Sequence, residues 1–214
     1  LWQATVEVVD FDAQACPGNT TPGEAWAILR GAFFNSGPRT PGSLNNNVVA
    51  HISLRRRSNA TVADSVDAEA AMFRCTNATC SQFDRVQGFP MGTIPCSGRV
   101  CPPVTLRIIW EQTANRFRFF RGAVGALPAL ERIANYTLPD ATFAERSHRT
   151  LSVAPIPATC TAAAGRKTAF MDVLFDNVLA NVVNVGPNAA SQTGAGLDAI
   201  DLGETFGPGE IVGR

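Results

Sequence analysis

The sequence predicts an all-β antiparallel sandwich, and three observations carry that expectation. Apolar and polar residues alternate with period two along a series of short segments, the pattern of strands with one buried face. Clusters of Gly, Pro, Asn and Ser separate those segments, as turns do. The clearest pair of segments is Val104–Gly122, VTLRIIWEQTANRFRFFRG, in which Val104, Leu106, Ile108 and Trp110 alternate with Thr105, Arg107, Ile109 and Glu111. After the polar Gln112-Thr113-Ala114-Asn115 the alternation resumes, with Phe117 and Phe119 on one face and Arg116 and Arg118 on the other. That is a hairpin, and it predicts Trp110 and Phe117 buried together.

In chain order, Trp2–Val9 alternates as a first strand that ends at Asp10-Phe11-Asp12, and a loop with Cys16, Pro17, Gly18, Pro22 and Gly23 follows. Trp26–Phe34 is a second strand. Asn35–Asn47 is turn-rich, and its prolines cannot donate to a ladder. Val48–Arg57 is a third strand with Val48, Ala50, Ile52 and Leu54 facing in and His51 facing out. Ala68–Arg74 has helix-forming composition, but it is short and is assigned to a strand. Ser81–Val86 is a further strand, closed by a turn at Gly88-Phe89-Pro90-Met91-Gly92. Beyond the hairpin, Ala129–Leu138 fits a helical turn or a strand. Thr150–Ile156 fits a strand whose Pro155 marks an edge or a bulge. Thr168–Val185 is a long apolar run whose central Asp-Asn and β-branched content favour two strands or one bent strand. From Gly186 the composition turns to Gly, Ala, Ser, Asn and Pro, which divides the chain into a sandwich over 1–185 and an extended C-terminal arm over 186–214. The arm is either a flexible terminus or a segment that docks on a neighbour through Ile200, Leu202, Phe206 and Ile211.

A chain of 214 residues with 45% hydrophobic residues can bury a large core. Its 18 basic and 18 acidic residues balance, which argues against a dedicated nucleic-acid binder. The short Arg55-Arg56-Arg57 run is assigned to a solvated strand edge. No apolar run reaches the ~20 residues of a membrane-spanning helix. The six cysteines favour disulfides by proximity, Cys75–Cys80, Cys96–Cys101 and the long-range Cys16–Cys160, with a zinc site on the four central cysteines as the alternative. Disulfides imply an oxidising compartment, and a chain beginning at Leu1 suits removal of a leader. The expected location is therefore extracellular or at the cell surface. Four sequons, at Asn19, Asn59, Asn77 and Asn135, agree with it.

Two stretches resemble a known family. TLRIIWEQTANRFRFF is similar to the hairpin of concanavalin A-like jelly rolls of the LamG and glucanase type, where a strand ending in Trp precedes an Asn-bearing loop and an aromatic strand. MDVLFDNVLAN resembles their closing strand, and with the early RGAFFNSGPRTPG the resemblance spans residues 1–185. It implies two curved antiparallel sheets in a jelly roll, a structural calcium in some members and glycan binding on the concave face in many. Hydrolytic members carry carboxylates alternating as Glu-x-Asp-x-(x)-Glu. This chain has no such triplet.

A glycosidase needs two carboxylates ~5–10 Å apart across one cleft. Glu7 with Asp10 and Asp12, Glu111 alone, and Asp172 with Asp176 all fit capping, turn or solvated roles better, so no catalytic residue is expected. A serine hydrolase is disfavoured because only His51 and His148 could act as base and no Gly-x-Ser-x-Gly elbow occurs. If calcium binds, Asp12, Asp176 and Asn177 are the candidate ligands, on the argument that the first and last strands pair. Trp2, Trp26 and Trp110 are assigned to core packing. Arg107, Arg116 and Arg118, on the polar face of the hairpin, are the candidate ligand contacts. The expected partners are a glycan, for an adhesion module, or copies of the chain itself, for a structural subunit of an extracellular assembly.

Overall fold

The computed structural model describes residues 1–17, 21–126, 129–160 and 167–180, and the backbone of 210–213. It is a sandwich of two antiparallel sheets packed face to face. The strands are β1 (Trp2–Ala13), β2 (Glu24–Asn35), β3 (Asn47–Arg57), β4 (Ser65–Cys75), β5 (Phe83–Pro95), β6 (Val104–Glu111), β7 (Arg116–Ala123), β8 (Leu130–Asn135), β9 (Thr142–Phe143), β10 (Arg149–Ile156), β11 (Ala169–Ala180) and β12 (Glu210–Gly213). One sheet has the order β11-β1-β6-β7-β8. The other has the order β12-β10-β2-β3-β4-β5, with β9 also pairing with β2. β1 pairs antiparallel with β11, the pairing expected between the first strand and the strand that closes residues 1–185.

Alternation sets the faces. Ala25, Ala27 and Leu29 of β2, Val48, Ala50, Ile52 and Leu54 of β3, and Val66, Ala68, Ala70 and Met72 of β4 meet Ala4, Val6, Leu106, Ile108, Phe117 and Phe119 of the opposite sheet. A bulge between Ala32 and Phe34 turns both Phe33 and Phe34 inward. There they join an aromatic cluster with Trp110, Phe117 and Tyr136. The polar ends of that cluster are satisfied in series. Trp110 Nε1 donates to the Tyr136 hydroxyl at 2.7 Å, and Tyr136 donates to Asp140 Oδ2 at 2.6 Å. Burial and the Asp140 bond push the Tyr136 hydroxyl well above the usual phenol range.

The hairpin forms as expected, with a 3-10 turn at Gln112–Ala114 and Asn115 at φ 49° closing it. Ala68–Arg74 and Ala129–Leu138 resolve as the strands β4 and β8. Thr168–Val185 resolves, over its described part, as one strand with an extra residue near Asp176-Asn177, where Asn177 has φ 49°. Before that bulge Met171, Val173 and Phe175 pack inward; after it Val178 and Ala180 do. The turn expected at Gly88–Gly92 does not form, because β5 runs straight through it. The reason is position: β5 is the edge of its sheet, where Pro90 leaves no ladder bond unmade, and bulges together with Gly92 at φ 78° absorb the irregularity. Pro155 likewise lies beyond the stretch of β10 that β12 covers. All six cysteines are paired as Cys16–Cys160, Cys75–Cys80 and Cys96–Cys101, which leaves none for zinc. Among the described residues no helix is long and apolar enough to cross a membrane. The anchors proposed for the arm at Ile200, Leu202 and Phe206 lie outside the described residues, and Ile211 falls within β12.

Candidate functional site

The outer face of the larger sheet carries a groove of about 310 Å³. Its floor follows from strand order. Trp26, Ile28 and Arg30 project outward from β2, Val49 and His51 from β3, Phe73 from β4, and Phe83 stands at the start of β5. Those from β2, β3 and β4 are outward members of alternating segments whose inward members are buried, whereas the start of β5 around Phe83 is exposed throughout. The Trp26 ring is held in place by the Arg55 guanidinium 4.4 Å from its centroid and by its own N–H, which donates to Glu24 Oε2 at 3.0 Å. Phe73 sits edge-on to His51 at 4.9 Å and to Phe83 at 5.0 Å. Phe83 is 56% exposed, a large apolar ring left to solvent at the rim.

Two loops close the rim. The loop held by Cys75–Cys80 supplies Thr79, and Leu44 N–H donates to Ala78 O, so the loop before β3 is tied to it. On the other side Asn47 bonds both backbone groups of Glu145, and so holds the segment leading to His148. His148 Nδ1 lies 2.7 Å from Arg146 O; a carbonyl only accepts, so Nδ1 carries a hydrogen and donates it there. The fold thus brings both histidines of the chain to one groove.

His51 Nε2 is shielded from solvent and has no hydrogen-bond partner. Burial, reinforced by the positive charges of Arg30 and Arg85, pushes the imidazole down to about 4. The unfolded chain binds a proton near ~6.5 that the folded protein refuses, so stability falls as pH drops from about 6.5 toward 4, by up to about 3 kcal/mol. Denaturant unfolding at about pH 7 and about pH 4.5 should show this loss, and His51→Gln should reduce it. Equal losses in the two proteins would mean that other groups carry the dependence.

A second concavity lies beside the groove, lined by Arg55, Arg57, Glu69 and Arg85 among others. Glu69 lies 2.9 Å from Arg55 and 4.0 Å from Arg57, and Arg57 lies 3.4 Å from Glu24. Burial pushes the Glu69 carboxyl up against the pull of its arginines. The Arg55-Arg56-Arg57 run is therefore taken up largely in local pairing. Arg56 donates to the carbonyls of Val62 and Ser65.

The residues proposed from sequence fall elsewhere. Asp12, Asp176 and Asn177 do not meet. The terminal strands do pair, but antiparallel, so Asp12 is opposite Phe170 and Asp176 is opposite Thr5, roughly 20 Å apart along β1 at ~3.3 Å per residue. Among the described residues no cluster of three or more His, Cys, Asp or Glu is placed to hold a metal ion. Arg107, Arg116 and Arg118 do share the outer face of the smaller sheet, but they are engaged. Arg116 pairs with Glu111; Arg118 pairs with Glu111 at 3.1 Å and with Glu131 at 2.5 Å; Arg107 donates to Gln3 Oε1 at 2.7 Å. The Arg116 and Arg118 guanidiniums hold the Glu111 carboxyl below the usual range. Of the sequons, Asn59 and Asn135 are exposed, Asn77 is half-buried with its amide donating to Ser81 Oγ at 2.8 Å, and Asn19 lies outside the described residues.

Trp2 is buried and Trp110 packs on the core, as expected, but Trp26 is a groove wall and not a core residue. The signal was present: Trp26 shares its strand face with Glu24 and Arg30, while the opposite face is Ala25, Ala27 and Leu29. Compared with known proteins, the chain matches no family model, no curated protein and no solved structure.

Proposed function

We propose that the chain is a secreted, non-catalytic binding module that holds a glycan in the groove on the larger sheet. The observation that carries the proposal is the set of aromatic rings, Trp26, Phe73 and Phe83, in a concave site that also presents His51, His148 and Thr79. Ligand sites are mostly apolar with a few placed polar groups, and a sugar ring offers an apolar C–H face to an aromatic ring while its hydroxyls need partners. Three disulfides suit an extracellular setting. The resemblance to concanavalin A-like jelly rolls, with their glycan-binding face, points the same way. The test is calorimetric titration with a panel of neutral and acidic oligosaccharides. Phe83→Ala, at an exposed position, should weaken binding by about tenfold or more with Tm nearly unchanged. No binding across the panel would remove the proposal.

A structural subunit of an extracellular assembly is the second reading, favoured by β12. Its backbone pairs along Arg149–Ser152 of β10, at what would otherwise be an open sheet edge. Such an edge accepts a strand from the same chain or from a neighbour, and a net charge of zero permits self-association. Deleting 186–214 should then lower the oligomeric state seen in sedimentation. An unchanged state would remove this reading.

A further inference from the structure

We propose that the groove selects an acidic saccharide, with the ligand carboxylate set against Arg30 and its ring against Phe83 and Phe73. This rests on the glycan-binding reading and narrows it to a substrate class.

Charge sets this groove apart from the rest of the sheet face. Among the described residues no Asp or Glu lines the groove, and Arg30 is the only lining side chain with a permanent charge. Arg30 is exposed, and no carboxylate lies within ion-pair distance of it among the described residues. Of the arginines on the same face, Arg55 and Arg57 are spent on Glu69 and Glu24, and Arg85 lines the neighbouring concavity rather than this groove. An arginine left unpaired at the mouth of an apolar groove is the matching group for a planar carboxylate, which it can take through two parallel N–H donors.

Strand pairing places Arg30 directly opposite His51. The imidazole there is neutral at physiological pH, so it does not compete as a second cation. Its Nε2 is shielded from solvent, so the ligand's hydroxyls are left to the other polar groups of the lining, Asn47, Thr79 and His148. A uronic acid carries this combination of ring face, hydroxyls and one carboxylate. The groove volume lies at the lower end of the ~300–1,000 Å³ range of ligand sites, room for roughly one or two sugar rings.

The experiment titrates the full chain with short oligomers of galacturonate, mannuronate and glucuronate, with their methyl esters, and with neutral glucose oligomers. The ester keeps the sugar skeleton, gains a methyl group and loses the charge. At least one uronide should bind about tenfold or more tightly than its ester, and added salt should weaken the uronide but not the ester. Arg30→Gln should erase the preference by bringing uronide binding down to the level of the ester, and Arg30→Lys should recover only part of it. A circular-dichroism melt confirms that these surface variants fold. Binding of neutral sugars or esters as tight as that of the uronides overturns this inference and leaves the glycan reading standing. Uronide binding unchanged in Arg30→Gln overturns the placement. No binding of any saccharide overturns both.

Discussion

Phe117→Ala is expected to lower the stability of the protein by about 3–5 kcal/mol, the cost of a fully buried Phe truncated in a core that cannot collapse. Phe117 has no solvent exposure. It belongs to β7 of the smaller sheet, yet its ring meets Phe33 at 4.9 Å and Phe34 at 6.3 Å, both from β2 of the larger sheet, and Tyr136 at 5.7 Å. Those neighbours are not free to fill the space. Trp110, Tyr136 and Asp140 are fixed by their hydrogen-bond chain, and the two phenylalanines by the bulge that turns them inward. The void should therefore persist, and the cost should fall in the upper part of the range. Phe143→Ala, at a ring 43% exposed on the short strand β9, is the control and should cost under about 1 kcal/mol. Urea unfolding of the two variants measures the difference. A Phe117→Ala loss under about 1 kcal/mol would mean that the hairpin does not join the sheets.

The hairpin and the faces of β3 were legible because period two maps one to one onto inside and outside. The ion pairs that occupy Arg116 and Arg118 were not anticipated, although a hairpin turning at Gln112–Asn115 sets Glu111 directly across from Arg116. Nor was the groove. Its walls come from β2, β3, β4 and β5 and from the segment before β10, and only the order of strands in the sheet brings them together. Periodicity says which residues share a face, not which faces share a groove. The same gap undid the calcium proposal. Pairing of the terminal strands was anticipated, but register and direction decide which side chains are neighbours, and both sent Asp12 and Asp176 to distant rungs. Gly88–Gly92 read as a turn because Gly and Pro punctuate most strands. An edge strand tolerates them, and being at an edge is a property of the sheet, not of the segment.

Removing Cys16–Cys160 is expected to be the most costly disulfide change, and the reason is topological. The bond joins the chain just after β1, in the smaller sheet, to the chain just after β10, in the larger one, across a sequence separation of 144. In the chain-entropy description a loop of that length restrains the unfolded state by about 5 kcal/mol, against about 2 kcal/mol for the separation of 5 at Cys75–Cys80 and at Cys96–Cys101. The Cys16→Ala, Cys160→Ala double variant should therefore show a much lower urea midpoint than the Cys75→Ala, Cys80→Ala variant. The smaller loss should come with its own signature. Cys75 and Cys80 line the groove and hold the loop that carries Thr79, so their removal should loosen the rim and weaken ligand binding more than global stability. Cys16 and Cys160 lie away from the groove and should do the reverse. If the short pair cost as much stability as the long one, entropy of the unfolded chain would not be what the long bond supplies. Its role would then be local, fixing the loop after β1 against the end of β10.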